Sequence, residues 1–198
     1  SECISLQSIV IPEKITVLED YTFYNCVSLS DAKLPAGLKE IKNYAFSYCR
    51  TLTSIDFPDT LTSLADRAFR ECTGLTEVTL PAALQYCNYP FYGCSNIKRI
   101  NCFASVPPTL EGNRDILYNV DKSSCELQVP FWSVNDYKLT TGWDAFPIIN
   151  PSDYETDVIN IQGKLTLAEG VRPTLQPSVS VFDNGRFGVK GAEALSMK

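Results

Sequence analysis

The chain has no histidine among its 198 residues. Histidine is the commonest general base at neutral pH and the usual partner of a nucleophilic serine or cysteine. Its absence therefore argues against hydrolases of the Ser-His or Cys-His type. Zinc binding is disfavoured as well, because no Cys-x-x-Cys pair replaces the missing imidazole ligands. We predict no catalytic residue, no metal site and no cofactor.

Long apolar runs, phosphate-binding motifs and an excess of positive charge are also missing. No apolar run reaches the roughly 18 residues that a membrane-spanning helix needs. Neither G-x-x-x-x-G-K-S/T nor G-x-G-x-x-G occurs, so no phosphate-binding loop is indicated. The formal net charge of −6 provides no attraction for nucleic acid or anionic lipid. We therefore expect neither nucleic-acid binding nor membrane insertion by this chain.

A repeat of 22–23 residues dominates the first half of the chain. Three residue types mark it, at Pro12, Pro35, Pro58 and Pro81, at Phe23, Phe46, Phe69 and Phe91, and at Cys3, Cys26, Cys49, Cys72 and Cys94. Such a period is typical of solenoids, in which small units stack and share one continuous core.

The copies align on the template LxxIxLPxxLxxIxxxAFxxCxx. They span Leu6–Ser28, Leu29–Thr51, Leu52–Gly74 and Leu75–Asn96, and a degenerate fifth copy begins at Ile97. The fourth copy is one residue short, between Cys87 and Phe91. Because Cys3 is the last marker of a preceding copy, we expect the chain to begin inside a longer array, with any export signal lying outside it.

Each part of the template predicts a local structure. The alternation Ile55-Asp56-Phe57 is typical of a strand with one buried face, and the proline that follows ends its pairing. The spacing of Leu61 and Leu64 indicates a second short extended stretch. The Ala-Phe-x-x-Cys segment predicts one helical turn that presents its Phe and Cys on one side. The repeated Leu, Ile, Phe and Cys side chains are therefore predicted to form the core.

This pattern resembles the BspA-like, Treponema pallidum-type leucine-rich repeats of bacterial cell-surface proteins, from Leu6 to about Pro108. The segment Cys125–Phe146 resembles the closing unit of such arrays, with Trp143 and Phe146 as lids on the core. The resemblance implies a mainly β, right-handed leucine-rich-repeat solenoid with short helical turns and a C-terminal cap. It also implies a non-catalytic protein at the bacterial cell surface, or secreted, that adheres to host extracellular proteins or to other cells.

We expect the chain to have two parts. The first, over 1–150, is the solenoid with its cap at about 125–150. The second, over 151–198, is a small β segment. In the second part, Asp157–Ala168 and Val179–Lys190 each predict a β-hairpin, the latter turning at Asn184-Gly185. Four short strands are marginal alone. They either pack on the cap or belong to a C-terminal domain that continues further.

The eight cysteines are predicted to be free thiols rather than a disulfide framework. Five of them share one repeat position, where neighbouring side chains project in parallel, and this does not suit disulfide geometry. Cys87 and Cys102 occupy core positions of the template. The state of Cys125 stays open, because it lies off the template.

The outward strand positions form the candidate binding surface. They are Asp31, Lys33, Ser54, Asp56, Glu77, Thr79, Arg99 and Asn101, flanked by Ser8, Val10, Glu126 and Gln128. This stripe is either a solvated sheet face or a ligand surface, since solenoids bind partners along an extended face. One carboxylate per coil is too few for calcium. A second candidate is a set of tyrosines beside the core positions, which either pack on the turns or bind proteins or sugar rings: Tyr24, Tyr48, Tyr86, Tyr89 and Tyr92.

Three functions remain open at this stage. The first is a cell-surface or secreted adhesion module that acts as a monomer and has a protein or glycan ligand. The second is a structural spacer or scaffold in a surface glycan-uptake assembly. The third is a glycan hydrolase that works with paired carboxylates, and the scattered acidic residues disfavour it.

Overall fold

The structure is a computed structural model that describes residues 3–110, 116–118, 122–151, 158–160, 179–181 and 186–189. The strands are β1 (Ser8–Val10), β2 (Val17–Leu18), β3 (Asp31–Lys33), β4 (Glu40–Ile41), β5 (Ser63–Leu64), β6 (Glu77–Leu80), β7 (Tyr86–Cys87), β8 (Arg99–Cys102), β9 (Glu126–Val129), β10 (Ile148–Pro151), β11 (Val158–Asn160), β12 (Val179–Val181) and β13 (Arg186–Val189). A 3₁₀ turn at Phe131–Ser133 leads into helix α1 (Val134–Leu139).

Two lines of parallel strands run along the solenoid, one for each extended stretch of the repeat. The first line contains the pair β1-β3 and the sheet β6-β8-β9-β10, and the second is the sheet β2-β4-β5-β7. Neighbouring strands are one repeat apart, as in the pairs Ser8 with Asp31 and Glu77 with Arg99. Pro81 directly follows β6 and ends it, because proline offers no N–H to the ladder. The predicted leucine-rich-repeat solenoid is thereby confirmed.

The recurring phenylalanines form a stack along the core. Phe46, Phe69 and Phe91 are fully buried, whereas Phe23 in the first coil is half-buried. Successive ring centroids lie 5.0, 5.0 and 5.7 Å apart. Offset-stacked rings at this separation gain aromatic attraction in addition to the apolar area that they bury.

The cysteines are free, as predicted, and three of those at the shared repeat position bond to the preceding coil. The Sγ atoms of Cys49, Cys72 and Cys94 donate to the carbonyl oxygens of Phe23, Phe46 and Phe69, at 3.3, 3.1 and 3.0 Å. A thiol thus fills a small apolar space and also satisfies a carbonyl of the preceding coil. Cys87, Cys102 and Cys125 are buried as well. Cys3 differs from the prediction, because it is exposed on the first coil.

The Ala-Phe-x-x-Cys segment is a series of turns, so the predicted helical turn is wrong. Alternate N–H groups of this segment form hydrogen bonds with the next coil. Those of Tyr44, Phe46 and Tyr48 donate to its carbonyls, at 3.1, 2.7 and 2.7 Å. Only the N–H groups between them bond three residues back, as Ser47 does to Tyr44. Tyr44 and Tyr48 have φ of 57° and 65°, which interrupts any helix.

The one-residue deletion in the fourth copy falls at Asn88. Its N–H donates to Leu64 O at 2.9 Å, as the N–H of Ala65 does to Ile41 O in the coil before. Its carbonyl accepts from Arg67 N at 3.3 Å, as that of Asp66 accepts from Tyr44 N. Asn88 therefore replaces two residues of the template, and this keeps both lines of strands in register.

The cap closes the core with aromatic side chains, as predicted. Tyr137, Trp143 and Phe146 are all buried. The hydroxyl of Tyr137 donates to Ala104 O at 2.8 Å, and Trp143 Nε1 donates to Pro108 O at 2.8 Å. Each polar atom of these rings is thus satisfied on the last coils, which fixes the lid over the open end.

The tail strands are described only in part. β12 and β13 pair antiparallel, with Val181 opposite Phe187, as the second predicted hairpin requires. Its turn at Asn184-Gly185 lies outside the described residues. β11 pairs with β13, and the return strand of the first predicted hairpin also lies outside the described residues.

Replacing a ring of the phenylalanine stack should destabilise the solenoid. We expect Phe69→Ala to lower the free energy of unfolding by about 3–5 kcal/mol, because it leaves a cavity between two stacked coils. Urea denaturation followed by circular dichroism measures this. Leu139→Ala is the control: that side chain is 84% exposed, so its change should stay within about 0.5 kcal/mol. Equal effects of the two substitutions would contradict the stacked core.

Burial of the thiols should make stability fall at alkaline pH. Burial raises the pKa of Cys49 and of Cys94 to about 12. These thiols ionise in the unfolded chain near its ordinary pKa of about 8.5 but stay neutral in the folded protein, so stability is full below that pH and is lost above it. The loss per thiol approaches about 1.4 kcal/mol per pH unit. The free energy of unfolding, measured by urea denaturation at increasing pH, should fall less steeply in the variant Cys49→Ala/Cys94→Ala than in the unaltered protein. Equal slopes in the two proteins would contradict this effect of thiol burial.

Candidate functional site

The outward side chains of the first line of strands form one surface, which we name the strand face. It comprises the outward residues of β1, β3, β6, β8, β9 and β10 and of the segment 54–56. All eight predicted site residues lie on it. Asn101 is half-buried and the other seven are exposed: Asp31, Lys33, Ser54, Asp56, Glu77, Thr79 and Arg99.

The strand face is interrupted at the third coil. Residues 54–56 form no regular strand, and a single bridge joins Asp56 to Thr79. A shallow depression of about 380 Å³ lies here, lined by Ser54, Ile55, Asp56, Phe57, Glu77 and Thr79. The structure therefore brings four of the eight predicted site residues together around one concavity with an apolar component.

Phe57 gives a physical reason for the interruption. It occupies the template position that holds Leu34 and Leu80 in the neighbouring coils. Its ring packs edge-to-face on Phe69, with centroids 5.5 Å apart, and it is half-buried, as Leu34 is, whereas Leu80 is fully buried. An aromatic ring needs more room than leucine in this column, which disfavours close pairing of the third strand.

Beyond the depression, the polar groups of the strand face bind one another. Asn101 Nδ2 donates to Glu77 Oε1 at 2.8 Å, and Arg99 lies 3.8 Å from Glu77 and 3.4 Å from Glu126. Hydrogen bonds from Asn150 and Gln128, with a smaller effect of Arg99, hold the pKa of Glu126 below its ordinary value. This half of the face is an internally bonded polar network, in which Asn101 Oδ1 is buried without a hydrogen-bond partner among the described residues.

The other half of the strand face leaves its charges unpaired. Asp31, Lys33 and Asp56 make no side-chain hydrogen bond or ion pair with any other described residue. Val10 adds an apolar side chain that is 69% exposed. These groups keep their full capacity to bind a partner, since no internal bond has to be broken first.

A second surface lies on the turns, and we name it the tyrosine–arginine edge. It contains Tyr21, Tyr24, Tyr44, Tyr48, Arg50, Arg67, Arg70 and Tyr92. Tyr21 and Tyr44 stack with centroids 5.1 Å apart, and Tyr24 meets Tyr48 edge-on at 5.6 Å. The structure thus brings together three of the predicted tyrosines, Tyr24, Tyr48 and Tyr92.

Sequence reasoning missed the arginines of this edge, because they occupy different template positions. Arg67 precedes Ala-Phe, Arg70 follows it and Arg50 follows the cysteine. One signal in the sequence could have found these arginines. Each of them lies within two residues of a template position that holds tyrosine in its own or an adjacent copy. Of the two other predicted tyrosines, Tyr86 belongs to β7. Tyr89 packs near Tyr118 at 6.4 Å, and Tyr118 in turn lies 5.7 Å from Tyr92 of the edge.

The described residues contain no group of three or more His, Cys, Asp or Glu side chains placed to hold a metal ion. No helix within the same residues has the length and apolar character to cross a membrane.

The repeat geometry matches a known family. The family model described as "BspA type Leucine rich repeat region" matches residues 1–109 in six copies. The chain belongs to this family. The resemblance found in the sequence is therefore confirmed. Membership of this family suggests that the chain is a protein-interaction repeat module. No curated protein matches the chain.

Solved structures of similar proteins come from several bacteria. A leucine-rich repeat protein of T. pallidum is 28% identical over 50% of this chain and 47% of its own, with a TM-score of 0.47. A leucine rich cell surface protein of Faecalibacterium prausnitzii is 22% identical over 75% and 33%, with a TM-score of 0.47. The pneumococcal vaccine antigen PcpA is 17% identical over 74% and 41%, with a TM-score of 0.54, and supports the fold alone. The chain spans less than half the length of each.

Proposed function

We propose that the chain is a non-catalytic adhesion module at the bacterial cell surface, and that it binds host extracellular proteins through the strand face. The observation that carries this proposal is the row of unpaired charges that ends at the depression of the third coil. Membership of the BspA-type family supports the surface location and the protein-binding role.

The chemistry of the depression favours a basic side chain of the partner. Asp56 and Glu77 line it together with Phe57, so carboxylates and an aromatic ring share one concavity. A lysine or arginine of the partner can pack its methylene groups on the ring while its charge meets a carboxylate. The unpaired Asp31 lies two coils before Glu77 and extends the acidic run across the face.

Reversing the acidic run should abolish most of the binding. We expect the variant Asp31→Lys/Asp56→Lys/Glu77→Lys to bind at least about tenfold more weakly, because three attractive contacts become repulsive. The probe is a panel of purified host extracellular-matrix proteins, immobilised for biolayer interferometry with the chain in solution. Circular dichroism verifies that the variant keeps its fold.

The matched control reverses three exposed carboxylates outside the strand face, Glu40, Asp59 and Asp136. It changes the net charge equally, so a general charge effect would weaken both variants alike and would contradict a role for the strand face. If the unaltered chain binds no member of the panel, adhesion to such proteins is overturned and the spacer or scaffold function takes its place.

A further inference from the structure

We propose that the tyrosine–arginine edge is a second docking surface, which binds an acidic segment of a partner protein through Arg50 and Arg70. The edge is built from the turns, whereas the strand face is built from strands. The inference therefore goes beyond the adhesion proposal and does not depend on what the strand face binds.

Arg70 is held between the tyrosines of two neighbouring coils. Its guanidinium carbon lies 5.2 Å from the ring centroid of Tyr48 and 5.1 Å from that of Tyr92. Both distances fall within the range of cation–π attraction. Contact with two rings restricts the orientation of the guanidinium plane, so less entropy is lost when a ligand binds to it.

Arg50 and Arg70 share a ring, and both have donors to spare. The guanidinium carbon of Arg50 lies 5.6 Å from the centroid of Tyr48, and this side chain is exposed. Neither arginine has a carboxylate within 4.0 Å among the described residues, and Arg70 Nε is buried there without a hydrogen-bond partner. Two cationic groups thus lie against the same ring without an ion-pair partner among the described residues.

Arg67 shows what a compensated arginine of the same edge is like. Its Nη1 donates to Asp66 Oδ2 at 2.6 Å and to the hydroxyl of Tyr44 at 3.1 Å. Its guanidinium also lies 5.3 Å from the centroid of Tyr92. Arg67 therefore acts in the internal structure of the edge, and the two uncompensated arginines remain for a ligand.

Carboxylates are the ligand that this arrangement fits. A guanidinium offers two parallel N–H donors that match a carboxylate in a bidentate hydrogen bond. Tyrosine and arginine are also the residue types that contribute most to binding at protein interfaces. An acidic peptide segment satisfies both features, because its side chains reach the guanidinium groups while its backbone covers the rings.

The charge of the surroundings favours a protein segment over a sulfated polysaccharide. A dense polyanion requires many uncompensated cations, and this edge offers two. The carboxylates of Asp66 and Glu71 belong to the same turns, and the whole chain carries a net charge of −6. A long run of sulfates would therefore meet repulsion close to the two arginines, whereas one or two carboxylates would not.

Fluorescence anisotropy with a defined peptide tests this inference. The probe is a fluorescein-labelled peptide of alternating Glu and Gly residues, compared with the same peptide carrying Gln in place of Glu. We expect binding of the Glu peptide that weakens with added salt, and affinity at least about tenfold lower for the Gln peptide. No binding of the Glu peptide at low salt would overturn the proposal.

Arginine variants locate the site. Arg50→Gln/Arg70→Gln should weaken binding of the Glu peptide at least about tenfold, whereas the control Lys14→Gln/Lys138→Gln, equal in charge, should leave it unchanged. Arg70→Lys keeps the charge without the planar fork and should fall between the two. If the double variant loses its fold, Arg50→Gln alone, an exposed position, should still weaken binding.

Two results would contradict the assignment. The first is equal affinity of the arginine variant and the lysine control, which would mean that the peptide responds only to net charge. The second is a heparin oligosaccharide that displaces the labelled peptide at lower concentration than the unlabelled peptide does, since the edge would then favour a sulfated glycan.

Discussion

The structure depends on hydrogen bonds that pass from one coil to the next outside the strands. In the turns, every second N–H donates forward to the following coil, as Phe46 does to Ala68 O at 2.7 Å. The thiol of Cys72 returns a bond to the coil behind, at Phe46 O. Because both kinds of bond join equivalent positions, each coil must repeat the geometry of its neighbours. The same constraint aligns the phenylalanine stack and the outward charges of the strand face.

Much of this architecture can be predicted from the sequence, because apolar residues recur at the buried positions of every repeat. The alternation in Glu77–Leu80 and the proline after it are sufficient to place a strand and its end. The turns could not be predicted in the same way. Tyr44 and Tyr48 adopt positive φ, which bulky residues rarely do, and hydrogen bonds from their N–H groups to the next coil stabilise this backbone. The spacing of Ala-Phe-x-x-Cys, taken without these bonds to the next coil, therefore indicates a helical turn.

In the candidate surfaces too, some features follow from the local sequence pattern and others only from packing between coils. The outward positions of the strand face follow from strand alternation, so the sequence identifies their side chains. The depression does not follow, since it arises where Phe57 replaces leucine in a packed column. Nor does the sequence reveal that Arg70 lies between Tyr48 and Tyr92, because these residues belong to three different coils.

Amide hydrogen exchange measured by NMR tests the bonding between coils most directly. We expect the N–H of Phe46, which lies in a turn, to be protected to the same degree as that of Glu126 in β9, which donates to Lys98 O at 2.9 Å. The amide of the exposed Thr53 provides the fast reference. If Phe46 exchanges as fast as Thr53, the turns do not bond from coil to coil and this account of the fold is contradicted.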